Sequence, residues 1–550
     1  MNKVLKCLVA VVSAAAMAIA GFAGAASATA DENGTIEITG QETGHTYNAY
    51  QVFSGDYSDG VLSNIKWGKN AASVSTKILN GLKADSAFGE GTNNIFKDCV
   101  DAACVAKALS DGNYGDDSTQ AQAFAKTVGD LVAGTPTAST ANQKIYTISG
   151  LGYGYYIVKD AGDSGANKKD TVYSRYLAKV VGGDKVTINT KESKPTLDKQ
   201  IKHNEANTWG VVGDNQIGDT VEFRTITTVP DMTGYTSYDY EINDTMSEEL
   251  TSNVKAATDV AIKVKDSGNA LSTDYYTVAV DTQNSNKFTI KVDVLKAIHD
   301  GKMVTGDHLY SYYTAILNEK AKIYDAGNQD NTAYLVYSNN PNKTDDRGET
   351  PHKTVYDWTF KMIVNKVAED GTTPLPGAKF VLSKNGEQNN TDDNITADGS
   401  WKNTGNLIAL IKDAAANTYT VAPTDYTGET TFVIDTDNPT IKGLDDATDY
   451  YLYETASPAR YNRKVEPTKF RITSKYSEDG SEVAKGYPTL TVDTDTNTNT
   501  SMTAKIVNKK GSSLPSTGGM GTKILYAAGA AIVLVAAFGI VLAVRRRNAR

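Results

Sequence analysis

The sequence predicts an all-β protein made of immunoglobulin-like sandwich domains in series, with short helices in the first domain. Apolar and polar residues alternate over short runs such as Thr35–Thr39, Phe288–Val292 and Thr468–Thr473, as expected for half-buried strands. Thr, Val and Tyr dominate these runs, and clusters of Gly, Asn and Asp separate them. Helical periodicity is confined to short pieces, such as residues 98–109 and 118–134 in the first domain.

Length and proline positions suggest three domains. Residues 31–517 number 487, and a domain typically has about 150 residues. Connectors that contain proline lie at 191–196 and 345–354. We therefore expect domains at 31–192, 193–348 and 349–511.

Charge and cysteine content exclude several classes of protein. The chain has 55 basic and 65 acidic residues, and without the seven positive charges of its two ends the net charge changes from −10 to −17. This acidity argues against nucleic acid or an anionic membrane as the partner of the middle region. That region contains only Cys99 and Cys104, which excludes a disulfide-dense scaffold. A local disulfide and two semi-buried thiols both remain open.

Both ends of the chain have the features of processing segments. Residues 1–30 have a basic start, an apolar run and then small residues, which is typical of a secretory signal peptide. Near the other end, LPSTG at 514–518 precedes 21 uncharged residues at 524–544, enough to span a bilayer of about 30 Å. The basic tail 545–550 then belongs on the cytoplasmic side.

No pattern of an enzyme is visible. The five histidines have no metal-ligand spacing, and the acidic stretch 493–500 lacks the Gly and Glu that a calcium loop requires. A nucleophile elbow, a phosphate loop and a dinucleotide fingerprint are also missing. The sequence therefore predicts neither an enzyme nor a metal or cofactor.

LPSTG followed by an apolar helix and an arginine cluster resembles the sorting signal of Gram-positive surface proteins. The resemblance implies that a sortase cleaves between Thr517 and Gly518. It also implies that the Thr517 carbonyl is then joined to an amine.

The third domain carries Met362-Ile-Val-Asn-Lys366, Tyr451-Leu-Tyr-Glu454 and, near its end, Lys-Ile-Val-Asn508. These motifs resemble a Cna B-type immunoglobulin-like domain, which implies an isopeptide bond between Lys366 and Asn508 with Glu454 as the catalytic acid. Burial lowers the pKa of a lysine and raises that of a carboxyl group. A neutral amine can then attack an amide that a protonated acid polarises.

The second domain opens with Pro195-Thr-Leu-Asp-Lys199 and continues through Ile242-Asn-Asp244 to a strand that ends in Ser-Asn-Asn-Pro. It resembles the D2 domain of fimbrial shaft proteins, a Cna A-like variant. The resemblance implies a bond between Lys199 and Asn339, with Asp244 as the acid. Alternation along the strand favours Asn339 over Asn340.

The first domain lacks the residues for an isopeptide bond. Its start at residues 45–53 is similar to the N-terminal domain of fimbrial subunits, but the strand Thr35–Thr39 has no lysine. Lys159 stands where a glutamate would be needed. We expect no internal bond there.

Backbone pilins carry a linking lysine in the motif V-x-V-Y-P-K at the end of their first domain. Here Val186-Thr-Ile188-Asn-Thr-Lys191 is similar, with Asn-Thr in place of Tyr-Pro. The resemblance implies that Lys191 is the intersubunit lysine, and Lys194 is the alternative.

Taken together, these motifs resemble a sortase-assembled major fimbrial subunit displayed on the cell wall. The resemblance implies a structural shaft that supports adhesion. Its implied partners are its own copies, pilus-specific and housekeeping sortases, minor or tip pilins, peptidoglycan and a host receptor. The alternatives are a non-polymerising, wall-anchored adhesin for host matrix or glycan, and an anchored surface hydrolase.

Overall fold

The structure is a computed structural model. It describes residues 34–40, 43–58, 61–115, 118–163, 173, 176–182, 185–190, 193–204, 206–386, 394–397, 399–493, 499–511 and 520–547. The signal peptide, Lys191, and Thr517 with Gly518 therefore lie outside the described residues. Within these ranges the strands form six sheets, two in each of three successive sandwiches. The all-β prediction is confirmed.

The first sandwich carries a helical layer on one side. Its elements are β1 (Gly34–Thr39), β2 (His45–Ser58), β3 (Val61–Trp67), α1 (Ser75–Ala84), α2 (Ala102–Gly112), α3 (Thr119–Leu131), β4 (Thr137–Ala138), β5 (Thr140–Asn142), β6 (Ile145–Leu151), β7 (Gly154–Asp163), β8 (Leu177–Val181) and β9 (Lys185–Asn189). The sheet orders are β5-β6-β1-β9 and β3-β2-β7-β8, with β4 paired to β2. Helices α2 and α3 match the predicted segments, but α1 was not predicted. It buries only Ile78 and Leu82, so its apolar periodicity is weak.

Cys99 and Cys104 form a disulfide at the start of α2, with their Cα atoms 5.3 Å apart. Between them, Asp101 is the N-cap of the helix, and its Oδ1 accepts a hydrogen bond from Cys104 N at 2.8 Å. Of the two alternatives that the sequence left open, the structure shows the disulfide.

The second sandwich consists of β10 (Leu197–His203), β11 (Thr208–Gly210), β12 (Val212–Asp214), β13 (Thr220–Thr228), β14 (Tyr240–Met246), β15 (Leu250–Ser252), β16 (Ala261–Val264), β17 (Tyr276–Val280), β18 (Lys287–Val292), α4 (Val294–His299), β19 (His308–Leu317), β20 (Gln329–Ser338), β21 (Arg347–Glu349) and β22 (Lys353–Trp358). One sheet has the order β11-β10-β13-β19-β15, with β16 beside β19. The other has the order β12-β22-β20-β14-β18-β17, with β21 beside β20.

The sheet of the second domain continues beyond residue 348, where the sequence predicted the domain boundary. Both β21 and β22 pair with β20, so the sheet of the second domain extends to Trp358. The segment with Pro351 that suggested a linker lies between two strands of one sheet. Proline is tolerated there because it precedes β22 and removes no ladder hydrogen bond.

The third sandwich consists of β23 (Phe360–Ala368), β24 (Lys379–Ser383), β25 (Leu410–Asp413), β26 (Thr418–Val421), β27 (Thr440–Leu444), β28 (Asp449–Ala456), β29 (Thr468–Thr473), β30 (Thr489–Val492) and β31 (Thr503–Asn508). Its sheets have the orders β25-β26-β27-β23-β31 and β24-β28-β29-β30. The first strand, β23, and the last, β31, pair directly and in parallel, as β1 and β9 do in the first sandwich. In the second sandwich, β10 and β22 lie in different sheets.

One apolar core runs through the second and third sandwiches. At their junction, Trp358 Nε1 donates a hydrogen bond to Gly480 O at 3.1 Å, and Ile217 N donates to Gly443 O at 3.1 Å. The two cores of the first sandwich share no residue with it. The second and third domains are therefore a single packing unit, whereas the first domain has cores of its own.

Helix α5 (Met520–Arg547) follows the last sandwich. In the described part of the chain, one helical stretch, Ile524–Arg547, is long and apolar enough to cross a membrane, with a mean hydropathy of 2.7. It contains the predicted span 524–544.

Candidate functional site

The structure brings together the three residues predicted for the third domain. In the parallel pair of β23 and β31, Lys366 lies opposite Ile506 and Ala368 lies opposite Asn508. Lys366 and Asn508 are therefore two residues out of register. Glu454 comes from β28 in the facing sheet. The side chains of Lys366, Glu454 and Asn508 all point into the sandwich, with residue exposures of 4%, 2% and 1%.

Hydrogen bonds hold this acid against the amide. Asn508 Nδ2 donates to Glu454 Oε1 at 2.6 Å, and Lys464 N donates to Glu454 Oε2 at 2.8 Å. Lys366 Nζ donates to Ile506 O at 3.2 Å. Asn508 Oδ1 is enclosed and has no hydrogen-bond partner among the described residues. The carbonyl oxygen that would carry negative charge during attack on the amide is thus shielded from water.

Burial sets the protonation of this site. It lowers the pKa of Lys366 to about 8, although the nearby Glu454 acts in the opposite direction. Burial also raises the pKa of the Glu454 carboxyl group, against the hydrogen bonds from Lys464 and Asn508. Both shifts favour a neutral amine next to a neutral acid, the protonation states that amide exchange requires.

In the second domain, Lys199 and Asp244 meet as predicted. Lys199 Nζ lies 2.6 Å from Asp244 Oδ2 and 2.6 Å from the Tyr313 hydroxyl oxygen, and Tyr313 donates a short hydrogen bond to Asp244. The Lys199 amine also lies 5.4 Å from the centre of the Phe223 ring. Burial in this aromatic surrounding lowers the pKa of Lys199, against the attraction of Asp244.

The predicted amide, Asn339, is not at this site. Asp244 lies opposite Ala333 on β20, and Asn339 lies six residues further along the chain, about 20 Å away at roughly 3.3 Å per residue. Asn339 is buried as expected from alternation, but it lies at the junction with the first domain, where its carbonyl accepts a hydrogen bond from Tyr173 N at 2.8 Å. The register of β14 and β20 therefore does not place Asn339 beside Asp244, and Asn340 lies further still.

Asn331 occupies the position that the prediction gave to Asn339. It lies two residues before Ala333 on the same inward face of β20, and it is fully buried. Neither atom of its amide forms a hydrogen bond of good geometry in the described part of the chain. Burial and Asp244 raise the pKa of Tyr313 well above its usual value, and Asn331 acts in the opposite direction, so the amide faces the phenol.

Two residues of this site, Asn331 and Tyr313, were missed from the sequence. The same alternation that placed Asn339 inward also places Asn331 inward, since both are an even number of residues from Leu335. That signal identifies the face of a strand but not the position along it. Tyr313 gives no local sequence signal beyond the alternation of β19.

The strands β1 and β7 of the first domain do not build such a triad. The inward residues of β1 are Ile36 and Ile38, where β23 has Lys366. Lys159 on β7 is half-buried, and its Nζ lies 4.7 Å from the centre of the Tyr50 ring. The expectation of no internal bond in this domain remains a prediction.

The fold also assembles one histidine with carboxylates that are distant in sequence. His203, Asp214 and Asp446 have ligand atoms within 4.8 Å of one another at the junction of the second and third domains. The Asp214 carboxylate accepts a hydrogen bond from the Tyr476 hydroxyl at 2.8 Å and lies 3.2 Å from His203 Nε2. These contacts tie the two domains together.

Two family models match the chain. Residues 360–485 match the SpaA prealbumin-like fold domain, and residues 506–549 match the LPXTG cell wall anchor motif. The second match confirms the LPXTG sorting signal recognised in the sequence, and the first identifies a prealbumin-like domain within the predicted third domain. They also confirm the location of the chain at the cell wall, and the first matched residue, Phe360, coincides with the start of β23.

The chain is also similar to several solved structures. The T6 backbone pilin of serotype M6 Streptococcus pyogenes has 14% identity, with 88% of this chain and 100% of that chain covered and a TM-score of 0.48. The full-length major pilin SpaD from Corynebacterium diphtheriae has 14% identity, 88% and 99% coverage and a TM-score of 0.44. BcpA, the major pilin subunit of Bacillus cereus, has 15% identity, 88% and 100% coverage and a TM-score of 0.41. Comparison with curated proteins gave no match. At these values no residue role is transferred.

Proposed function

We propose that this cell-wall-anchored chain is the shaft subunit of a covalently polymerised pilus, with one isopeptide bond inside each of its second and third domains. The observation that carries the proposal is the buried contact of Glu454 with Asn508 next to Lys366. A buried lysine, acid and amide together are costly for a fold unless they react or neutralise one another.

The bond in the third domain forms by amide exchange. The neutral Lys366 amine attacks Cγ of Asn508, and a new C–N bond forms as the bond to the amide nitrogen breaks. Glu454 polarises the amide and transfers the proton from the lysine nitrogen to the leaving group, which departs as ammonia. The fold supplies the proximity that makes the step effectively unimolecular.

In the second domain the same exchange joins Lys199 to Asn331, and Asp244 takes the role of the acid. The Tyr313 hydroxyl bonds both to Lys199 and to Asp244, so it positions the pair before reaction. Support for Asn331 is its register next to Asp244 and its complete burial.

Polymerisation follows from the sorting signal. A sortase breaks the Thr517–Gly518 peptide bond and holds the Thr517 carbonyl as a thioester, which the amine of Lys191 in the next subunit attacks. Lys194 is the alternative amine. The chain is then a substrate of pilus-specific and housekeeping sortases rather than an enzyme. Its further partners are minor or tip pilins, peptidoglycan and, for adhesion, a host receptor.

An immunoblot of cell-wall extracts tests polymerisation. We expect a ladder of covalent multimers from the wild type and its loss in Lys191→Ala, whereas Lys185→Ala, which changes an exposed lysine on β9, keeps the ladder. A ladder that survives Lys191→Ala and disappears in Lys194→Ala transfers the role to Lys194. A single anchored species in the wild type refutes the shaft and favours the non-polymerising adhesin.

A further inference from the structure

The end of the third domain carries a concentrated positive charge on an otherwise acidic protein. Arg460, Lys505, Lys509 and Lys510 are all exposed, and none forms an ion pair with an acidic side chain of the described residues. We call these four residues the basic end patch. Lys464 is not part of it, since its amine lies 3.8 Å from Asp493.

Backbone hydrogen bonds fix the patch. Asn462 N donates to Lys509 O at 2.9 Å, and Gly511 N donates to Arg460 O at 2.9 Å, so the loop after β28 runs alongside the chain that leaves β31. Alternation on β31 turns Lys505 and Val507 outward, and Val507 is 38% exposed. The patch is therefore a preformed surface that combines cations with an apolar side chain.

The patch is held near the membrane by the length of the chain. Only eight residues, 512–519, separate Gly511 from Met520, where α5 begins, and they reach at most roughly 30 Å when fully extended. Until the chain is cut between Thr517 and Gly518, Gly511 next to the patch therefore stays within about 30 Å of Met520, the first residue of α5.

We propose that the basic end patch binds the anionic phospholipid headgroups of the membrane in which α5 is inserted. Basic side chains next to a membrane helix are attracted to anionic lipid, and the attraction decays within one Debye length, about 8 Å at physiological salt. The net charge of −17 for residues 31–517 opposes binding of the domains as a whole to an anionic surface, but screening makes the attraction of the patch a local effect. Docking of the patch and insertion of α5 fix both ends of the segment that carries the sorting signal.

Energy transfer in reconstituted nanodiscs tests the contact. The chain without its signal peptide is inserted through α5 and labelled at Ala459→Cys, an exposed position next to Arg460, and the acceptor dye is in the lipid. Cys99 and Cys104 are bonded to each other and do not compete for the label. We expect higher transfer in discs with phosphatidylglycerol than in pure phosphatidylcholine, and we expect the difference to disappear in high salt.

The decisive comparison uses two variants of equal charge. Replacing Arg460, Lys505, Lys509 and Lys510 by Gln removes the lipid-dependent difference, whereas replacing four exposed lysines elsewhere, Lys77, Lys97, Lys302 and Lys485, by Gln preserves it. Equal transfer in both lipids overturns the proposal. A difference that persists in the patch variant also overturns it, and assigns the response to general charge or to another surface.

Discussion

Asn331 lies on the inward face of β20 next to Asp244, whereas Asn339 lies just beyond the end of that strand. Ala333 is the residue of β20 opposite Asp244, so Asn331 precedes it by two residues and Asn339 follows it by six. Position along the strand therefore decides which asparagine can react with Lys199 in the second domain. Burial cannot distinguish the two, because both side chains are buried.

Intact mass distinguishes these two amides. We expect the secreted wild-type chain to weigh less than its sequence by two ammonias, one for each bond. Asn331→Ala leaves a deficit of one ammonia, because Lys199 then has no amide to attack. The matched control, Asn339→Ala, retains the deficit of two. A deficit of one in Asn339→Ala would refute the register argument, and no deficit in the wild type would refute both bonds.

The sequence predicted those features that depend on local periodicity and motifs. It did not predict which residues meet through contacts between strands that are distant in sequence. The triad of the third domain was predictable because β23 and β31 pair directly, and each of its residues lies within a recognisable motif. Asn331 was missed because alternation identifies the inward face of β20 but not the position along it, which the pairing of β14 with β20 decides. The boundary at 348 failed for a related reason, since only tertiary pairing assigns β22 to the second domain.

The lowered pKa of Lys366 predicts a pH-dependent stability when the bond is absent. In Asn508→Ala the amine stays free, with a folded pKa of about 8 against 10.5 in the unfolded chain. Between these values the unfolded chain binds more protons, so the unfolding free energy rises with pH by at most about 1.4 kcal/mol per pH unit. Below about pH 8, where Lys366 is charged in both states, this contribution is flat.

The control for that measurement is the double variant Lys366→Met/Asn508→Ala, which lacks the titrating amine. Denaturant titrations of the two variants from pH 7 to pH 10 give the difference in unfolding free energy, in which the titration of all other groups cancels. Above pH 8, we expect the unfolding free energy of Asn508→Ala, which retains Lys366, to rise relative to that of the double variant. Parallel pH profiles would show that Lys366 titrates normally.

If both proposed bonds form, one stretch of the chain between them still carries a pulling force without a covalent cross-link. Force that enters at Lys191 would pass through the proposed Lys199–Asn331 bond, then along residues 332–365, and then through the third domain by way of Lys366 and Asn508. These 34 residues are held by strand pairing and packing without a covalent cross-link, and their fully extended length is at most about 120 Å. The first domain lies outside this path, in agreement with the prediction that it has no internal bond.

Single-molecule pulling between positions 191 and 511 measures this extension. We expect the wild type to lengthen by no more than about 120 Å and the third domain beyond Lys366 to contribute no further step. In Asn331→Ala the whole stretch from β10 to β22 unravels, so the step becomes several-fold longer. Asn508→Ala adds a separate step from the third domain. A wild-type step as long as that of Asn331→Ala would contradict the proposed force path.

Separate cores predict two thermal transitions, and the disulfide affects only one of them. The first domain shares no core residue with the other two and has no predicted internal bond, so it melts first. The Cys99–Cys104 bond closes a loop of separation five, which contributes about 2 kcal/mol by loop-closure entropy. In calorimetry, Cys99→Ser/Cys104→Ser lowers the first transition by roughly 4–8 °C and leaves the second unchanged. Reduction of the wild type is the control and gives the same shift. Movement of the second transition would mean that the domains unfold together.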